Sequence, residues 1–296
     1  MDVRANSADA ALQALVGRLH ATGRLRVWSL VITIFGDMIV PRGGRVALSV
    51  LQEITGRLGV EAGALRTAMS RLAADGWVRR ERAGRNAFYR LADGGRHAFD
   101  LATRRIYAAG PPGWNGGWTV VIAPPGFAET DAADAASLGF VRVSAGVYLR
   151  PETKGAPGLQ DAFAGTLVVH GSSAEHPETL AALWPSQHTA DAYRAFLSAF
   201  SPLAEALAQG TSFRGLDAAA VRALLIHDWR RIALRDPGLP AALLPADWPG
   251  EQARALVRAI YSTLLPESEA WLDAQRLPRP ADPLALAARF GAQSSR

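Results

Sequence analysis

Cysteine is absent from all 296 residues, so this chain can build neither a disulfide nor a thiolate-ligated metal site. Lysine occurs once, at Lys154, which makes nearly every cation a guanidinium. That preference fits base composition as well as it fits bidentate phosphate contacts. No run reaches the roughly 18 uncharged apolar residues of a membrane span. The nearest, "VWSLVITIFGDMIV" at 27–40, is shorter and carries Ser29, Thr33 and Asp37. It also lacks the basic start and cleavage signal of a secretory peptide, which predicts a cytoplasmic protein with no membrane partner. The six histidines (His20, His97, His170, His176, His188 and His227) show no HExxH or comparable ligand spacing, and "AGVYLRP" offers no serine elbow. His170 and His176 stand six apart across a loop, which suits a structural role better than a metal. No internal repeat and no low-complexity tract is present.

What is present is enough chain for two or three compact domains, with 49% hydrophobic residues. Charge is spread unevenly. Residues 1–110 carry 17 arginines against 9 acids, residues 111–180 carry 3 basic against 7 acidic, and the rest is nearly balanced. The amino end is thereby the part suited to a polyanion.

Leu12, Leu15, Val16 and Leu19 fall at helical spacing and predict a leading helix over 8–20. Over 26–40, Ser29, Thr33 and Asp37 recur every four residues while Leu30, Val31, Ile34, Phe35 and Met38 fill another face, so a helix is expected, ended by Pro41 and "RGG". Residues 45–58 predict a second helix with Val46, Val50, Leu51, Ile54 and Leu58 inward. A third is expected at about 61–75. In it Leu65, Ala68, Met69 and Leu72 share one face, and Arg66, Thr67, Ser70 and Arg71 the opposite one.

"WVRRER" and "NAFYRL" then read as two strands about a tight tip, crowding Arg79, Arg80, Arg82 and Arg85 onto a hairpin. Three helices followed by a basic hairpin is the arrangement of a winged helix-turn-helix. Its third helix reads the major groove with exposed polar side chains, while wing arginines meet phosphate or the adjacent minor groove. Candidate DNA contacts are Arg42, Arg45, Arg66, Thr67, Ser70, Arg71, Arg80, Arg82, Arg85 and Asn86. Arg66 and Arg71 are also compatible with plain solvated cations, Arg79 with an ion pair to Glu81 or Asp75, and Arg42 and Arg45 with turn roles. Trp77 and Tyr89 read as core rather than as base-stacking platforms.

Residues 93–108 predict a helix leading out of the hairpin, and "AGPPGWNGG" at 109–117 reads as a linker where the charge changes sign. "WTVVIAP", "FVRVSAGVYLRP" and "GTLVVHG" follow as strands with "ETDAADAASLG" as a helix between the first two, suggesting a small α+β domain with an antiparallel sheet. Beyond about residue 178 the pattern is helical to the end. The expected domains are 1–110, 111–180 and 181–296.

Six segments in order resemble the PaaX family, repressors of phenylacetic acid degradation: "FGDMIVPRGG", "LRTAMSRLAADGW", "GRNAFYRLADGG", "LGFVRVSAGVYLRP", "YRAFLSAF" and "LLIHDWRRIALRDPGLPAALLPADWPG". The resemblance runs from about residue 25 to about 291. It implies a mixed fold with an N-terminal winged helix-turn-helix, a middle α+β ferredoxin-like domain akin to a CRISPR-associated endoribonuclease fold, and a C-terminal all-α domain. It further implies a homodimer that represses aromatic catabolism genes from a double-stranded DNA operator and is released by phenylacetyl-CoA or a related acyl-CoA, with no bound cofactor. The chain departs from the family at the wing tip, where Arg85 is followed by Asn86 rather than by a second arginine, and it is short between "TLVVHGSS" and "ALWPSQHTADAY".

Metal-dependent nuclease chemistry would want an aspartate where the first middle-domain strand ends, and Ala123, Pro124 and Pro125 stand there. An enzyme is therefore not expected. An acyl-CoA presents a 3′-phosphate and a pyrophosphate, good partners for guanidinium forks. Arg150, Tyr193, His227, Trp229, Arg230 and Arg231 are the candidate effector contacts. The bland reading pairs Asp228 with Arg231 or Arg235 and leaves Trp229 in the core. The alternative function is a DNA-binding protein whose C-terminal region only dimerises.

Overall fold

The computed structural model describes residues 3–21, 25–83, 86–125, 135, 138–153, 158–159, 163–173, 175, 182–184 and 187–291. The helix expected over "ETDAADAASLG" lies almost wholly outside the described residues, as do Arg85, Lys154 and His176. The chain divides into two compact units. One comprises Met1–Ala109, Tyr193–Leu234 and Glu251–Arg296; the other comprises Gly110–Ala192 and Arg235–Gly250. The sequence change near residue 110 coincides with a unit boundary, and most of the C-terminal helical region shares its unit with the N-terminal helices.

In the first unit, α1 (Val3–Ala21) buries Leu12, Leu15 and Leu19. The helix expected over 26–40 is α2 (Val27–Ile34), continued by a wide π turn at Phe35–Ile39 and a tight turn at Val40–Arg42. Gly36 is required in that wide turn, because a Cβ there would stand 2.8 Å from the Phe99 ring. The second expected helix begins later than its periodicity suggests. Arg45–Ala47 is a strand, β1, and α3 occupies Leu48–Arg57 with Val50, Leu51 and Ile54 buried. Val46 is claimed by a ladder partner, Tyr89, which overrides the helical pattern.

Helix α4 (Ala62–Ala74) buries Leu65, Ala68, Met69 and Leu72, the four positions its spacing predicts. Truncating Met69 or Leu72 to alanine would cost about 2–5 kcal/mol at such sites. Strands β2 (Val78–Ala83) and β3 (Asn86–Leu91) form an antiparallel hairpin, and β1 adds on the other side of β3 to give the order β1-β3-β2. Helix α5 (Asp93–Ile106) follows.

The helical remainder comprises α6 (Gln187–Ala208), α7 (Gly215–Ala233), α8 (Gly250–Ala274) and the short α9 (Pro283–Ala287), the last capped by Asp282, which accepts from the Ala285 amide at 2.8 Å. Apolar nearly all round, α7 is buried accordingly: Ala218 to His227 are all shielded. It runs against α2, α3 and α5.

The second unit is a four-stranded antiparallel sheet built from β4 (Trp114–Ile122), β5 (Val141–Ser144), β6 (Val147–Thr153) and β7 (Leu167–Ser172) in the order β5-β6-β4-β7. Residues 140–151, expected as one strand, turn back at Ala145 and Gly146. Gly146 has φ +72° and accepts a hydrogen bond from the Ala123 amide at 2.6 Å, an approach that a side chain would obstruct. One sheet face buries Trp118 and Leu149 with Trp184, Leu239 and Leu243; the other buries Val121 and Tyr148 with Ala135, Phe140 and Phe163. Both units are thus mixed or helical in composition, and no helix among the described residues is long and apolar enough to cross a membrane.

Candidate nucleic-acid interface

The side of α4 opposite its buried stripe presents Arg66, Thr67, Ser70 and Arg71, all exposed. The helix ends at Asp75 and Gly76, and Trp77 then turns the chain into β2, its amide donating to the Leu72 carbonyl at 2.9 Å. Arg79, Arg80 and Arg82 stand exposed on that strand. Strand alternation puts Arg80 and Arg82 on one face and Arg79 on the other. Among the described residues Arg66, Arg79, Arg80 and Arg82 make no ion pair. Arg71 approaches Asp75 at 3.7 Å with both side chains more than half exposed, a pair worth little in water. Thr67 donates its hydroxyl to the Gly63 carbonyl at 3.1 Å. Four guanidiniums thereby share a continuous helix-and-hairpin segment without an internal counter-charge.

Other amino-end arginines serve the fold. Arg42, expected at phosphate, is only 1% exposed and donates to Glu269 at 2.7 Å, to Asp273 at 2.7 Å and to the Pro278 carbonyl at 2.8 Å. Its partners lie more than two hundred residues away, which is why the local sequence concealed them, and the buried geometry withdraws it from any surface. Arg45 lies over the Phe88 ring at 3.8 Å and donates to Glu81 at 2.8 Å. Arg90 meets the same carboxylate at 3.0 Å. These two hydrogen bonds hold the Glu81 carboxyl below its ordinary range. With Glu81 engaged by Arg45 and Arg90, and Asp75 by Arg71, Arg79 keeps neither of the partners first considered for it. Arg85 lies outside the described residues; Asn86 opens β3 opposite Ala83. Tyr89 is buried, and Trp77, partly buried, meets Phe99 edge-to-face at 6.0 Å.

The residues expected to meet an effector belong to both units. Arg150 belongs to the second unit, where it is 7% exposed, donates to the Leu138 carbonyl at 2.9 Å and lies over the Phe140 ring. Tyr193 and Trp229 are buried together, ring centroids 5.8 Å apart, and the Trp229 indole donates to the Ile106 carbonyl at 2.7 Å. His227 is buried against the Thr33 hydroxyl at 3.1 Å, and burial, helped by Arg230 and Arg231, pushes its pKa down to about 3. Arg230 donates to the Ser29 hydroxyl at 2.6 Å, while Arg231 is exposed. Asp228 pairs with Arg18 at 2.8 Å rather than with Arg231 or Arg235.

Sequence reasoning missed a buried charge centre. Asp37 accepts from Tyr107 at 2.6 Å, from Arg222 and Arg289 at 2.7 Å each, and from Tyr261 at 3.0 Å. Burial alone would raise its pKa, but the two guanidiniums outweigh it and hold the carboxyl below the ordinary value. The only sequence signal was a carboxylate inside an apolar run. Among the described residues no group of three or more His, Asp or Glu is placed to hold a metal.

A basic helix and hairpin thus stand in the same unit as the helices that bury the Asp37 charge centre. Residues 26–95 match the PaaX-like protein family and residues 184–274 the PaaX-like protein C-terminal domain. The chain is 30% identical over 260 residues to the transcriptional repressor PaaX of Escherichia coli (strain K12), covering 82% of each. The chain belongs to the PaaX-like family. It is also similar to the solved structure of uncharacterized protein Rv0674 from Mycobacterium tuberculosis, at 26% identity and a TM-score of 0.53, covering 77% of this chain and 91% of that one.

Proposed function

We propose that the chain is a transcriptional repressor of aromatic, phenylacetate-type catabolism genes that binds operator DNA through a winged helix-turn-helix of α3, α4 and the β2–β3 hairpin. The carrying observation is that Arg66, Arg79, Arg80 and Arg82 are exposed and make no ion pair among the described residues, while Arg42, Arg45 and Arg90 are paired to carboxylates. Helix α4 enters the major groove with Arg66, Thr67, Ser70 and Arg71. The hairpin lays Arg80, Arg82, Arg85 and Asn86 along the backbone or the minor groove. Arg45, half-exposed beside Glu81, flanks this surface.

The repressor acts as a homodimer, with two copies of α4 about 34 Å apart for half-sites one turn apart. The antiparallel four-stranded sheet serves as a ferredoxin-like middle domain. Phenylacetyl-CoA or a related acyl-CoA releases the operator by binding one protein arrangement better than the other. Kinship to a protein named as a transcriptional repressor supports this reading.

Gel shifts of the full chain on its own upstream region, with and without phenylacetyl-CoA, test it. A retarded band lost with the thioester is expected. Equal binding to random duplex would end the operator reading, and a band indifferent to every thioester would leave a DNA-binding protein whose C-terminal region only dimerises.

A further inference from the structure

In the first unit a half-open cavity of about 170 Å³ lies between α2, α5 and α7. Most of its wall is apolar: Ile32, Phe99, Ala102, Ile106, Ile226 and the Trp77 indole contribute. A dry apolar cavity of roughly 150 Å³ accepts one benzene ring. The polar groups on the wall are nearly all spoken for. The Asp37 carboxylate is saturated by two arginines and two tyrosines, and Thr33 donates to the Ser29 carbonyl and meets His227.

Arg230 is different. Its terminal nitrogen reaches Ser29, but Nε is buried with no hydrogen-bond partner, and the guanidinium makes no ion pair among the described residues. Burial accordingly pulls its pKa down. A desolvated cation with a donor to spare, on the wall of a ring-sized apolar cavity, is completed by an oxygen acceptor attached close to a ring.

We infer that this cavity binds a single aromatic ring carrying an acyl oxygen within a bond or two, with the oxygen on Arg230 and the ring against Phe99 and Ala102. This deepens the effector reading above and rests on it for its regulatory meaning. The site lies within one unit, and it involves only Arg230 of the six residues first considered for effector contact. Phe99 is edge-to-face with Trp77, the residue that joins α4 to β2. A ring wedged against Phe99 therefore presses on the joint between the groove-reading helix and its hairpin. A ligand preferred by the shifted joint shifts the population toward it.

Two sources can supply that chemistry, a free arylacetate and its coenzyme A thioester. Calorimetric titration of the full chain with phenylacetate, phenylacetyl-CoA and coenzyme A alone distinguishes them. Two variants localise the site: Ala102→Leu, which fills the ring space with carbon, and Arg230→Gln, which removes the cation. Melting temperature of each variant controls for folding. Wild type is expected to bind at least one ring-bearing probe more tightly than coenzyme A. Each variant that melts within a few degrees of wild type is expected to weaken that probe tenfold or more. Wild type that binds neither ring probe, or folded variants that bind as wild type does, would overturn the inference.

The two readings fail separately. Thioester that releases wild type and Ala102→Leu from operator at the same concentration sinks the cavity and keeps the repressor. Ala102-sensitive uptake by a protein with no operator preference keeps the cavity and sinks the repressor.

Discussion

Arg222 Nε donates to Asp37 Oδ2 across 2.7 Å with both side chains at 0% exposure, fastening α7 to the turn that follows α2. Two further polar pairs continue the seam, Thr33 with His227 and Ser29 with Arg230. The polar stripe Ser29, Thr33 and Asp37, which resembles a solvent face, is instead the face of α2 and its following turn that meets α7. Its members are paired to residues 185 to 201 positions away.

Asp37→Ala removes the carboxylate and leaves Arg222 and Arg289 buried without it. Breaking such a centre on one side is expected to destabilise by about 3–5 kcal/mol. The urea midpoint of the full chain should fall accordingly, with operator affinity of the fraction still folded unchanged. A midpoint within experimental error of wild type would mean that the two arginines find other partners.

His227 sets an acid limit. Its folded pKa, about 3, lies below the unfolded value near 6.5, so the folded state favours the neutral ring. That contribution is fully present above pH 6.5 and is lost as pH falls from there toward 3, at no more than about 1.4 kcal/mol per pH unit. Asp37, whose pKa is also lowered in the fold, adds an acid loss only below the ordinary carboxylate range. Urea midpoints at pH 7, 6 and 5 should therefore decline for wild type and decline less for His227→Gln, which keeps a partner for Thr33. Parallel slopes for the two proteins would assign the acid sensitivity elsewhere.

Arg42 and Arg82 look alike in sequence and differ in the fold. Arg42→Ala takes the cation from between Glu269 and Asp273 and is expected to cost about 2–4 kcal/mol of stability. Arg82→Ala touches no partner and should leave the urea midpoint within about 0.5 kcal/mol. Operator binding reverses the ranking, with the Arg82 variant the weaker binder at matched folded concentration. If both variants melt alike, the buried ion pairs of Arg42 carry no net stability.

What the sequence disclosed was local. The buried stripe Leu65, Ala68, Met69 and Leu72 and the exposed Arg66 and Arg71 follow from a 3.6-residue period, and β2 and β3 from a two-residue period about a tight tip. What it concealed was tertiary. Val46 fits a helix until β3 supplies a ladder, Arg42 looks free until Glu269 arrives, and Ser29, Thr33 and Asp37 look solvated until α7 covers them. The ring-sized cavity has no sequence signal, because its wall is drawn from α2, α5 and α7 and from the turn after α4.

The division of labour on the basic surface makes the sharpest test. A guanidinium on the exposed face of α4 that forks onto a guanine edge discriminates sequence, whereas one on the hairpin that meets phosphate does not. Arg66→Ala should weaken operator binding by about 1–3 kcal/mol and random duplex by much less. Arg82→Ala should weaken both about equally and lower the slope of log affinity against log salt by about one counterion. Competition gel shifts at two salt concentrations measure all four quantities. Equal losses on operator and random duplex for Arg66→Ala would make that residue a phosphate anchor. Sequence reading by α4 would then rest on Thr67, Ser70 and Arg71, whose own substitutions should show the selectivity that Arg66 lacked.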